Sequence, residues 1–191
     1  MRTVARFLAA FLLFLIPASL AWVPLAPAYH AAVAGAVRPA LRWVERDDVS
    51  VVSAQGEDLG VYRKIGGDRV APFMTFDRYA FFALVPLLAL LAATPGVRAA
   101  GRIWRMIAAG AALYLVHVLY VVASVGLAYA ALGLSGDAPH AALQTAVRWC
   151  WEAAPIVLWL VLTAGAWRRV LFGRAADSEG SMPVRPRGCE G

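Results

Sequence analysis

Two groups of residues in this chain have side chains that can do chemistry. The first is centred on His117, mid-way along an apolar run from about Trp104 to Leu132, with Tyr114, Tyr120 and Ser124 near the same helical face. An ionisable side chain at that depth in a bilayer is costly and usually turns toward the interior of a helix bundle. Two readings fit: a proton relay or polar substrate path, and a neutral histidine hydrogen-bonded between helices. No acid lies at matching depth, which favours the second. The other group is Cys150 and Glu152, with Arg148 beside them and His140 in the preceding segment. A nucleophilic thiolate needs a neighbouring base or positive charge, and these residue types can supply one. Their spacing is not specific, however. The expectation is a packed, inert Cys150 and a Glu152 that reaches the interface or pairs with an arginine such as Arg78.

Several motifs are missing from the sequence. It has no H-E-x-x-H or paired C-x-x-C pattern to supply zinc ligands or redox thiols. It has no G-x-S-x-G nucleophile turn and no phosphate-cradling G-x-x-x-x-G-K loop. No catalytic residue, cofactor or metal site is therefore expected. A single membrane-embedded histidine does not support an ion pump, and a channel or transporter is conceivable only as an oligomer. Cys150 and Cys189 flank the last apolar run, on opposite sides of the membrane in the topology derived below, so they cannot form an intramolecular disulfide. Only two residues follow Cys189, where a prenylation box requires three.

The elements that position these residues follow from composition. Hydrophobic residues make up 61% of the 191 and charged residues only 16%, far from the balance of a soluble domain, so the excess apolar surface needs lipid. The net charge of +6 comes largely from arginines at the ends of apolar runs, where they set orientation or meet anionic lipid. No basic face is interleaved with aromatics, and nucleic acid is not an expected partner.

Spanning a hydrocarbon core of ~30 Å at 1.5 Å per residue takes about 20 residues, and four runs are candidates. The first, Phe7 to Leu25, places a transmembrane helix in residues 1–27; the small residues Ser19 and Ala21 before Trp22 also fit a signal-peptide cleavage site. Apolar character continues to Val37, which favours a retained span. Residues 28–77 read as extracytoplasmic: an amphipathic helix from Ala28 to Arg46 along the outer surface, then a small β-hairpin or three-stranded flap. Its strands are expected at Val49 to Val52 and Val61 to Ile65, around a turn at Gly56. Residues 78–172 hold three more spans, from Arg78 to Thr94 with Pro86 mid-span, Trp104 to Leu132 and Val147 to Phe172. Trp149, Trp151 and Trp167 are placed as interfacial anchors of the last. Gly173 to Gly191 reads as a disordered cytoplasmic tail. The expected fold is thus an all-α polytopic membrane protein, four transmembrane helices with a β-hairpin-like insert. Arg98, Arg102 and Arg105 in the short second loop, without an acid, and Arg168 and Arg169 after the last span point to both ends inside.

The order of parts, with F-M-T-F-D-R-Y-A-F-F-A-L-V-P-L-L-A-L-L-A-A-T-P-G from Phe73 to Gly96 leading into closely spaced spans, resembles the small membrane proteins described as exosortase H-associated. That resemblance implies a multi-pass protein of a bacterial cytoplasmic membrane, working beside an exosortase that processes C-terminally tagged export proteins. The implied role is a non-enzymatic accessory or scaffold in protein sorting or envelope biogenesis, with no functional residues to carry over. Gly126 and Ala130 offer a small-residue surface for close helix packing. The competing reading is a small intramembrane enzyme or transport subunit built on His117 or on Cys150 and Glu152.

Overall fold

The first apolar run does not end at Leu25. In the computed structural model, which describes residues 2–44, 51–55, 58–64, 69–77, 79–132 and 140–179, helix α1 is continuous from Arg2 to Val44 and takes in Pro17, Pro24, Pro27 and Pro39. At 1.5 Å per residue it is about 65 Å long, more than twice the ~30 Å hydrocarbon thickness and longer than a single crossing requires. The separate surface helix expected from Ala28 is corrected accordingly. Val33, Val37 and Leu41, its apolar face, are fully buried in protein, while Arg38 and Arg42 are exposed. Amphipathic spacing shows that one face is covered; here strands rather than lipid cover it, since β1 and β2 lie against α1.

The strands are β1 (Val51–Gln55), β2 (Asp58–Lys64) and β3 (Val70–Phe76), antiparallel in the order β1-β2-β3. Val61 pairs with Val52 on one side and Met74 on the other. The third strand had no expected position; it contains Pro72, which cannot donate to a central ladder. Pro72 lies on the edge strand, beside a bulge: Val61 faces Met74 and Tyr62 faces Pro72, which leaves Phe73 unopposed. Phe73 meets the Tyr129 ring at 4.8 Å, and the Arg63 guanidinium lies 5.5 Å from the same ring. Leu59, Val61 and Phe76 are buried, so the sheet gains from the helices the core that a three-stranded piece lacks.

The expected second span is also changed. Residues 79–83 are turns, with the Ala80 N–H donating to the Asp77 carbonyl and the Phe82 N–H to that of Tyr79. Helix α2 covers only Leu84–Ala93, about 15 Å or half the hydrocarbon thickness. Pro86 is therefore in the first helical turn, where a missing N–H costs nothing, and not at a mid-span kink. Among the described residues three helices are long and apolar enough to cross a membrane: α1, α3 (Ala99–Ala131) and α4 (His140–Glu179). Helix α2 falls short of that length, so a fourth full transmembrane helix is not shown among the described residues. Helix α4 also continues through Glu179, past the expected start of the tail at Gly173. The turn at Gly56, Arg46, Arg78, Cys189 and the tail beyond Glu179 lie outside the described residues.

The stop after α2 forms as expected. Gly96 has φ +74°, a left-handed value that favours glycine. Buried Thr94 donates to the Leu90 carbonyl and accepts from Trp159 Nε1 at 3.1 Å, and Arg102 reaches its carbonyl at 3.3 Å. Thr3, Arg6 and Phe7 of α1 surround one cavity with Ala93, Pro95 and Val170. The beginning of α1, the end of α2 and the last part of α4 therefore share one end of the bundle, and the sheet occupies the other. Leu13 and Leu20 of α1, Leu119 of α3 and Val161 of α4 project outward as exposed apolar surface.

Candidate functional site

His117 is fully buried on α3, and its Nδ1 lies 2.7 Å from the Tyr29 hydroxyl of α1. The direction of that hydrogen bond follows the imidazole tautomer. Nε2 is buried with no hydrogen-bond partner among the described residues. The ring is walled by Phe81 at 4.9 Å and Tyr29 at 5.8 Å. One turn earlier on α3, the Tyr114 hydroxyl donates to the Ala32 carbonyl at 2.8 Å. His30, also fully buried, meets Phe81 edge-on at 5.2 Å. The helical interior thus contains a second histidine where one was expected.

Tyr114 and His117 face α1, whereas Tyr120 and Ser124 open on a different feature. They line a cleft of about 400 Å3 with Met74, Thr75 and Phe76 of β3 and with Arg148, Trp151 and Glu152 of α4. Tyr120 stacks on Trp151 with centroids 4.7 Å apart and planes 15° apart. Phe76 touches Tyr120 at 5.9 Å and Phe81 at 6.3 Å, so an aromatic chain connects the cleft to the His117 pocket. Trp151 and Trp167 are half-buried and pack on other rings, Trp151 on Tyr120 and Trp167 on Phe7 at 5.3 Å.

Glu152 pairs within its own helix, Arg148 Nε lying 2.8 Å from its Oε1. With Arg148 73% exposed, the pair contributes little to stability. Cys150 is exposed, not packed. Among the described residues no group of three or more His, Cys, Asp or Glu is placed to hold a metal ion.

Tyr29 and His30 were missed from the sequence because the helix was divided near Leu25. The signal was a stripe that ignores that division: Trp22, Ala26, His30, Val33, Val37 and Leu41 are all buried and follow one another at helical spacing. Tyr29→Phe and His117→Gln are each expected to cost about 0.6 kcal/mol, the usual worth of one interhelical hydrogen bond in a membrane, with a double-mutant coupling of similar size. Unfolding of the purified variants in detergent measures it. Activity lost at unchanged stability would assign His117 a chemical role instead.

Comparison with curated proteins and with solved structures finds no match. Residues 1–157, from the start of α1 through the cleft-lining part of α4, match the family model of the exosortase H-associated membrane proteins, and with its three long apolar helices the chain belongs to that family.

Proposed function

We propose that this protein is a non-enzymatic accessory or scaffold of an exosortase-type sorting system, held in a bacterial cytoplasmic membrane with both ends inside. The observation that carries this reading is the state of its best chemical candidate. His117 has no accessible surface and makes a bond that ties α3 to α1, while large apolar faces of α1, α3 and α4 remain outward. Gly110, Gly126 and Gly165 have open space where a side chain would stand, which lets a partner's helix approach closely. Phe7 packs on Trp159 and Trp167, which supports retention of the first span in the working protein. For orientation, Arg6, Arg98, Arg102 and Arg168 belong to the end shared by the start of α1, the loop after α2 and the last part of α4. The positive-inside rule puts that end in the cytoplasm and the sheet outside.

Affinity purification of the tagged full chain from its native membranes tests the proposal. The exosortase is expected to co-purify in near-stoichiometric amount, and disabling substitutions in the exosortase's own active site should not release it. Recovery with components of a transporter, or without an exosortase, would reject the scaffold reading.

A further inference from the structure

We propose that the cleft between β3 and the α3–α4 pair is a docking site for an extended polypeptide segment of a partner, which adds as a fourth strand to the sheet. Successive side chains of a strand point to opposite faces, yet the consecutive residues Met74, Thr75 and Phe76 all border this cleft. A cavity that touches three in a row meets the strand along its edge. The other edge is taken, because Met74, Thr75 and Phe76 pair with Val61, Gly60 and Leu59 of β2. No strand lies beyond β3 among the described residues. A free edge offers backbone donors and acceptors at a spacing that an extended chain matches and a helix cannot.

The opposite wall narrows the choice of occupant. It presents the Ser124 and Tyr120 hydroxyls, the exposed Arg148–Glu152 pair and the Trp151 ring. A lipid chain would leave these groups facing hydrocarbon, which is unfavourable. A peptide backbone supplies carbonyls and amides to both walls, and the aromatic rings of Phe76, Tyr120 and Trp151 give its side chains an apolar seat. A second copy of the sheet is the poorer fit, because α4 stands across the cleft and its volume of about 400 Å3 leaves room only for a short extended segment. The inference stands independently of which partner the family reading supplies.

The test uses the purified full chain in lipid nanodiscs and dye-labelled octapeptides of alternating Thr and Val, end-blocked and flanked by Lys, Glu or Ser, with binding read by fluorescence anisotropy. At least one charge variant is expected to bind, and N-methylation of its backbone amides should weaken it about ten-fold or more, because several edge hydrogen bonds can no longer form. Ser124→Phe, which fills the cleft, should cause a loss of similar size, whereas Ala21→Phe, on the apolar groove between α1 and α2, should leave binding unchanged. A thermal melt of each variant checks that it is folded. No binding by any of the three peptides at about 1 mM would overturn the proposal. Equal binding of the N-methylated peptide, or full binding to folded Ser124→Phe, would do so as well. Rapid self-crosslinking of Thr75→Cys that excludes peptide would assign the edge to a second copy and equally reject the proposed occupant.

Discussion

Phe81→Ala is expected to lower stability by about 3–5 kcal/mol, the range for deleting an enclosed aromatic side chain. Phe81 has no exposed surface and stands where four parts of the fold meet. Its ring lies 6.1 Å from Tyr29 and 5.2 Å from His30 on α1, 4.9 Å from His117 on α3, and 6.3 Å from Phe76 at the end of β3. Its own backbone belongs to the turns that lead into α2. Two long helices and a sheet hold the surrounding atoms apart, so the space left by the ring cannot collapse cheaply. Lipid cannot enter an enclosed void to restore the missing dispersion attraction, and the cost persists within a membrane. Thermal or denaturant unfolding in detergent measures it. Phe82→Ala, at a half-buried neighbour packed on Trp22, should cost clearly less. If Phe81→Ala unfolds within about 1 kcal/mol of the parent, the aromatic junction is not what joins sheet to bundle.

A second expected result is all-or-none. In a chain whose Cys150 and Cys189 are replaced by serine, Asp58→Cys should react with a membrane-impermeant thiol reagent on intact cells, and Arg98→Cys should react only after the membrane is opened. Both positions are exposed in the fold, so accessibility reports the side of the membrane and not burial. The physical basis is the uneven distribution of charge. Arg98, Arg102 and Arg105 cluster in a short stretch at the start of α3, where Lys and Arg weigh most, whereas the basic residues between α1 and α2 are spread over a longer segment. The inverse pattern would reject the orientation with both ends inside. Labelling of both positions in intact cells would mean that the segment from Tyr79 to Pro95, with its 10-residue helix, does not carry the chain across.

Some features were legible because they depend on a single dimension of the chain. The lengths of the apolar runs around Phe7, Trp104 and Val147, set against the thickness of a bilayer, are enough to identify α1, α3 and α4 as candidate spans. Pro95-Gly96 marks the stop after α2 because a left-handed residue there is a local requirement. The β-rich character between Val49 and Ile65 likewise comes from residue type, although β2 begins earlier than expected, at Asp58, and Val49 and Ile65 lie outside the described residues.

Tertiary structure alone decided what covers each face. Val33, Val37 and Leu41 carry the same apolar period whether lipid or a sheet lies against them, and only the packing of β1 and β2 onto α1 makes the difference. Pro72 fits a strand only because the bulge at Phe73 and the edge position remove its conflict with the ladder. His117 was legible as a costly polar residue, but its partner Tyr29 is 88 positions away and no local pattern joins them. Cys150 and Glu152 are only two residues apart, yet the fold sets Glu152 in the cleft and leaves Cys150 outside it. Transmembrane length is a sum over neighbours in the chain. Burial, pairing and the free edge of β3 depend on contacts between distant segments, which the order of residues does not encode one by one.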